Sequence, residues 1–178
     1  MKSEINQKSM IKFRFLITPI FILILLACAT GPKKTYEETV WEWKSYKDVA
    51  KWMDRHFSYD MRRLREVEGK FPIPRSPKET FELKSGVCHD GAYFAKDVLN
   101  RIDPSYEAKV VFIENRPYED NHLVCSFRKD GKLFIMDYST AYRNMVGVHG
   151  PYNSLDEYKK FYENNHPKVR HIRSIRYW

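Results

Sequence analysis

Cysteine is scarce, three residues in 178, and an odd number cannot all pair, so no disulfide framework holds this chain together. Glycine and proline together fill only 16 positions, which excludes collagen-like and low-complexity architectures. Charge of one sign is also modest. The chain carries 31 basic and 23 acidic residues, but Lys2, Lys8, Lys12 and Arg14 against Glu4 account for +3 of the +8 within the first 27 residues. From Cys28 onward the net is +5, mildly basic, and no nucleic-acid partner is expected on charge. What is present is apolar and aromatic: 43% and 15% of residues, too much for a disordered chain. The length suits one domain with a substantial core.

Residues 1–14 are polar and positive, and Phe15 to Ala27 is an apolar run of 13 residues broken only by Thr18-Pro19. A spanning helix needs about 20 such residues, so the run fits a signal-peptide core instead. It ends in Leu25-Leu26-Ala27-Cys28, which resembles the bacterial lipobox. That resemblance implies diacylation of Cys28 and cleavage just before it, giving an exported protein whose membrane partner is its own N-terminal lipid. An ordinary signal peptide, or an uncleaved anchor with an incidental cysteine, is the competing reading. Small Ala27 and the loose Ala-Thr-Gly-Pro-Lys-Lys segment after the cysteine favour the lipoprotein. Ala29 rather than Asp implies the outer membrane if the source has one. The division expected is a signal peptide over 1–27, a tether over 28–38 and one domain over 39–178.

Within that domain Val40, Trp43, Tyr46, Ala50, Met53 and Phe57 recur at helical spacing, predicting mainly helix over Thr39–Phe57 with a restart capped by Ser45 and Asp48. The tryptophans at 41, 43 and 52 read as core rather than as a sugar or lipid platform. Arg62 to Lys70 reads as charged and solvated, and Phe71-Pro-Ile-Pro as extended. Ser76-Pro77-Lys78-Glu79 starts a short helix that stops near Ser85-Gly86. A longer helix begins around Cys88, with Ala92, Ala95, Val98, Leu99 and Ile102 as its buried stripe, and ends at Asp103-Pro104. The period then changes to that of strands at Ala108–Ile113, Leu123–Arg128 and Lys132–Tyr138, the last two joined by an Asp130-Gly131 turn. Ser154 caps a further helix ending near Asn164-Asn165, and Val169–Trp178 forms a last strand. The class is α+β.

Chemistry concentrates at Ser85-Gly86-Val87-Cys88-His89-Asp90-Gly91-Ala92. A thiol at a helix start sits beside unpaired N–H groups and the positive end of the dipole, which favours thiolate. Such a nucleophile wants an imidazole oriented by a third group. If Asp130-Gly131 is a two-residue turn, paired positions place His122 opposite Ser139 and Asp137 opposite Val124. His122 and Asp137 then share a face as diagonal neighbours. Leu123, Cys125, Phe127, Phe134, Met136 and Tyr138 fill the other face, so Cys125 is expected to be buried on the side away from the site. His89 is expected to be an exposed neighbour, and His149, His166 and His171 surface residues. The basic residues of the last strand read as a solvated face, and the tyrosines at 36, 138, 142, 152, 158 and 162 as core edges rather than a groove.

Gly-x-Cys-x-Asp opening a helix, a strand beginning with His and a neighbouring strand ending in Asp together resemble the transglutaminase-like superfamily of papain-type thiol enzymes. Gly86-Val87-Cys88-His89-Asp90 matches the nucleophile motif, Asn121-His122-Leu123-Val124 stands where His-Ala-Trp is usual, and Leu133 to Tyr138 matches the aliphatic strand ending in Asp. The match covers roughly residues 45–140. It implies a papain/transglutaminase-like core, in which the helix bearing the cysteine packs on an antiparallel sheet bearing His and Asp. It also implies a Cys88–His122–Asp137 triad acting on a peptide or protein amide through a thioester. The oxyanion would be held by the Cys88 N–H and one upstream side chain, for which Tyr59 is the candidate. Leu123-Val124 in place of Ala-Trp, and Tyr138 where Pro is frequent, blur the subfamily without removing a triad atom. No calcium loop is present in the sequence pattern, and no metal or cofactor is expected. A catalytically silent binding or scaffolding lipoprotein is the alternative. A cell-wall endopeptidase of another papain-like clan fits less well, because Asp-Cys-Ser-Gly is absent.

Overall fold

The chain divides into Met1–Thr35 and Tyr36–Trp178, and the computed structural model describes residues 34–67, 72–116 and 121–178. The signal-peptide segment, Cys28 and most of the tether therefore lie outside the described residues. Among the described residues no helix is long and apolar enough to cross a membrane.

The second unit opens with a helix that breaks and restarts. Helix α1 (Tyr36–Glu42) gives way to α2 (Tyr46–His56), because Asp48 turns back to accept the backbone N–H groups of Lys44 and Ser45, each at 3.0 Å. Capping those orphan donors is what allows a new helix to begin there. Trp52 stacks on Phe81 with ring centroids 4.9 Å apart and also meets Trp43 and Phe94. Two of the three early tryptophans thus pack against the core, while Trp41 is exposed. Strand β1 (Ser58–Tyr59) follows. Then comes α3 (Met61–Val67), a helix where the sequence reading has solvated chain. None of its side chains is buried, so it carries no apolar stripe to betray it. Residues 72–76 run without helix or strand, and Phe71 lies outside the described residues.

Helix α4 (Pro77–Leu83) starts as expected, with the Ser76 hydroxyl accepting the Glu79 N–H at 3.2 Å and Pro77 at the first position. It ends one residue before β2, where Lys84 adopts a left-handed conformation. Strand β2 (Ser85–Gly86) pairs in parallel with β1, and α5 (Cys88–Ile102) follows at once. Ala92, Phe94, Ala95, Val98 and Leu99 are its buried residues over the sheet, close to the expected stripe; Ile102 is only partly buried.

Strands β3 (Lys109–Arg116), β4 (His122–Lys129), β5 (Lys132–Asp137), β6 (Gly147–Tyr152) and β7 (His171–Tyr177) form one antiparallel sheet in the order β6-β5-β4-β3-β7. Helix α6 (Leu155–Asn165) precedes β7. The β4–β5 ladder runs from Lys129↔Lys132 to Cys125↔Met136, and Asp130 and Gly131 both take positive φ, 51° and 73°. That is the twist-matched two-residue turn, and the register is the one read from the sequence. Strand β6 pairs with β5 in a stretch to which the sequence analysis assigns no strand.

Both faces of the sheet are covered. On one, α1, α2 and α5 bury Cys125, Phe127 and Met136. On the other, α6 lays Tyr158 and Tyr162 over Val124, Leu133 and Ile135. His166 is buried as well, not a surface residue; its ring stacks on Tyr162 and accepts the Val169 N–H at 2.9 Å. The result is α+β with the cysteine helix on an antiparallel sheet, the architecture that the resemblance implies.

Candidate active site

Cys88 is the first residue of a 15-residue helix, and the residue before it, Val87, has no side-chain acceptor to cap the turn. Asp90 does that work from inside. Its carboxylate accepts the Val87 N–H at 2.9 Å and the Arg75 N–H at 2.8 Å. Arg63 grips the same carboxylate with Nε at 2.7 Å and Nη2 at 3.0 Å. The Asp90 side chain is fully buried, and four donors on one carboxylate satisfy it there. This is why Gly86 and Asp90 occur together: a Cβ on Gly86 would lie 2.5 Å from the Asp90 Cβ. Arg75 also reaches the Ser85 carbonyl at 3.0 Å, and the Asp60 N–H reaches Gly86 O at 3.0 Å. The turn before the thiol is pinned from several sides.

His122 is the first residue of β4, and Asp137 is the last of β5. Their side chains meet, Nε2 to Oδ2, at 2.7 Å. The second Asp137 oxygen accepts the Ser139 N–H at 3.2 Å, so the carboxylate is held at both ends. Both residues are buried. With Nε2 on the carboxylate, Nδ1 is the remaining ring nitrogen, and the imidazole acts on the Cys88 thiol in the sense that favours thiolate. Register assigns His122 and Asp137 to the face that α6 covers, with the Tyr162 ring centroid 6.5 Å from that of His122. Cys88 heads a helix packed on the other face, beside Leu123 and Phe112. The groups come together at the end of the sheet, where Ser139 touches Gly91 of α5.

That last contact is tight. A Cβ on Gly91 would fall 2.4 Å from Ser139 Oγ and 2.5 Å from its Cβ. Gly91→Ala should therefore push Ser139 away and loosen the Asp137 carboxylate. The expected cost is about 1–3 kcal/mol, as for overpacking elsewhere, together with slower alkylation of Cys88; thermal melting and thiol kinetics check both.

Electrostatics follow from the geometry. Burial pushes the Cys88 thiol up, but hydrogen bonds and charge from His122 and His89 more than offset that and bring it to about 6. Burial likewise pushes His122 down, yet the Asp137 carboxylate beside it, with help from the Cys88 hydrogen bond, holds it well above 6.5. Above about pH 6, and up to the raised value of His122, the favoured state is thus thiolate beside imidazolium. Cys125 behaves oppositely: buried with no such partners, its thiol is pushed far up, and it lies on the sheet face away from His122.

His89 departs from the sequence reading. It is buried rather than exposed, with Nδ1 3.6 Å from Cys88 Sγ. Tyr59 sits opposite Gly86 in the β1–β2 pair, two residues before Cys88. Arg63, Arg75 and Ser139 are additions that sequence reasoning missed. For the arginines no local signal exists. For Ser139 the signal is Gly91 itself, a glycine inside a helix, which often marks close approach of another chain segment. Among the described residues no cluster of three His, Cys, Asp or Glu side chains is arranged to hold a metal ion.

A family model described as a transglutaminase-like domain matches residues 33–163, and the chain belongs to that transglutaminase-like family. Among solved structures, EGTA-treated Legionella pneumophila LapG is similar at 19% identity and a TM-score of 0.42, over 55% of this chain and 52% of its own. A structure described as that of a TGase is similar at 11% identity and a TM-score of 0.40, over 79% of this chain and 42% of its own. The chain thus spans about half the length of the solved structures it matches. No curated protein matches.

Proposed function

We propose that this protein is a lipid-anchored envelope enzyme that cleaves or transfers acyl groups at amide or peptide bonds, using Cys88, His122 and Asp137. The observation that carries the reading is the buried 2.7 Å His122–Asp137 bond, together with a thiol at a helix N-terminus that the imidazole draws down to about 6. In the reaction, Cys88 Sγ attacks the carbonyl carbon of the substrate amide and the carbonyl π electrons move onto oxygen. The Cys88 N–H at the helix start and Tyr59 are the groups assigned to that oxyanion. As the tetrahedral centre collapses, the imidazolium of His122 gives its proton to the departing nitrogen, and an amine leaves from a thioester on Cys88. Neutral His122 then takes a proton from water or from an amine as that nucleophile attacks the thioester. Collapse expels the thiolate and leaves an acid or a new amide. Asp137 keeps the ring oriented and its charged form favoured throughout.

Lipidation of Cys28 would restrict this chemistry to substrates at a membrane surface of the bacterial envelope. Nitrophenyl acyl esters test the thiol step without knowledge of the natural substrate. Intact-mass spectrometry should show one hydroxylamine-labile acyl group in the wild type and none in Cys88→Ala, with much slower formation in His122→Ala. A binding or scaffolding protein would give no adduct on Cys88. Growth with a labelled fatty acid, comparing the full chain with Cys28→Ser, tests the anchor.

A further inference from the structure

The thiol has a second imidazole against it. His89 is the second residue of α5, immediately after the nucleophile, and its ring lies beside Sγ instead of turning out to solvent as an adjacent helical residue ordinarily would. We propose that His89 donates a hydrogen bond from Nδ1 to the Cys88 sulfur, a second donor beside His122 that holds the thiolate in the free enzyme and again when it is regenerated.

The chemistry calls for such a group. The sulfur is a thiolate in the free enzyme and again when the second tetrahedral centre collapses, and in both states the proton that His122 turns toward it is the one the reaction moves. A donor that takes no part in proton transfer keeps that charge satisfied through the whole cycle. The 3.6 Å separation suits an N–H···S contact, sulfur being a larger acceptor than oxygen. His89 is only 8% exposed and Cys88 likewise, so water competes little and the bond is strong for its length. Among the described residues, titratable groups stand around the pair on three sides. On α5 itself, Asp90 is held by Arg63 and the Arg75 N–H. From the sheet come His122 on β4 and Asp137 on β5, and from α6 comes Tyr162, next to His122. Of these, His122 is the one that acts with His89 to favour the thiolate.

The role assigned to His89 presupposes that Cys88 is the nucleophile, and the experiment separates the two. Iodoacetamide alkylation of the full chain is followed against pH and read on the Cys88 peptide by mass spectrometry. The wild type is compared with His89→Leu, His89→Asn and His122→Ala. The expected result is that His89→Leu moves the reactive midpoint up by about one pH unit, roughly a tenfold loss of thiolate on the acid side. His89→Asn, whose amide N–H can take the place of Nδ1–H, should stay near the wild type. A His89→Leu profile that overlays the wild type overturns the proposal, as does an equal shift in both His89 variants. If His122→Ala shifts the midpoint and His89→Leu does not, the His89 role fails and the triad stands; the reverse pattern sinks the triad and keeps His89. Should His89→Leu not fold, ¹⁵N signals of the histidine rings in the wild-type protein decide the matter. Blocking Cys88 with methyl methanethiosulfonate should move the His89 Nδ1 signal, and an unmoved signal contradicts the bond.

Discussion

Asp90→Ala is expected to destabilise the protein by about 3–5 kcal/mol, the range found when one partner of a buried ion pair is removed. Asp90 is fully buried and takes four hydrogen bonds, two from the Arg63 guanidinium and two from the backbone of Val87 and Arg75. Without the carboxylate, a guanidinium that is largely covered loses its counter-charge, and two backbone donors at the helix entry lose their acceptor. Urea denaturation should report a lower midpoint at unchanged slope. Arg63→Ala should cost less, because Asp90 keeps its backbone donors. The double variant should cost less than the sum, since the two residues form one unit. Surviving Asp90→Ala protein should also react more slowly at Cys88, because the turn that presents the thiol is held by this carboxylate. A loss below about 1 kcal/mol, typical of an exposed ion pair, would mean the clamp does not hold the turn.

Asp137→Asn is expected to lower acyl transfer by roughly 100- to 10,000-fold, by analogy with the loss of the orienting carboxylate in other triads. The substitution keeps size and can keep the Ser139 contact, so the fold should persist. What disappears is the negative charge that holds His122 well above 6.5. The imidazolium then becomes unfavourable in its buried position, and the thiolate loses the charge that stabilised it. Stability should change with pH in a definite sense. A histidine raised in the folded state contributes stability fully below its unfolded value of about 6.5 and loses that contribution as pH rises through the folded value. The gap in stability between wild type and Asp137→Asn should therefore be widest in mild acid and narrow toward alkaline pH. Chemical denaturation at several pH values would show it. An activity loss of less than about tenfold would argue that Asp137 does not set the state of His122.

What the sequence revealed of this arrangement, it revealed through local and periodic signals. Asp130-Gly131 can hardly be anything but a tight turn. Once the turn is fixed, strand alternation alone puts His122 and Asp137 on one face and Cys125 on the other. Ser76 and Pro77 announce a helix start, and the pair Ser45/Asp48 announces the break between α1 and α2. The misses share a different character. Arg63 meets Asp90 across 27 positions and the Arg75 N–H meets it across 15, and no periodicity encodes a single long-range polar contact. Helix α3 has no buried residue, so its charged sequence gives no amphipathic pattern. Strand β6 contains Gly147, Gly150 and Pro151, residues that weaken any strand signal, and it survives as an edge strand paired only to β5. Helical periodicity assumes one covered face and so puts His89 outside. The first turn of α5 is covered all round, with every residue from Cys88 to Ala92 buried.

The central claim is that Cys88 and His122 form a thiolate–imidazolium pair near neutral pH, and the most direct measurement is the ultraviolet thiolate absorbance of Cys88 as a function of pH. Subtracting the signal of Cys88→Ala from that of the wild type removes Cys28, Cys125 and the tyrosines. The thiolate should appear at about pH 6 and persist upward from there, and in His122→Ala its appearance should move toward the ordinary thiol value of about 8.5. A Cys88 thiolate that appears only near that ordinary value in both proteins would contradict the ion pair and leave a buried cysteine at the head of a helix.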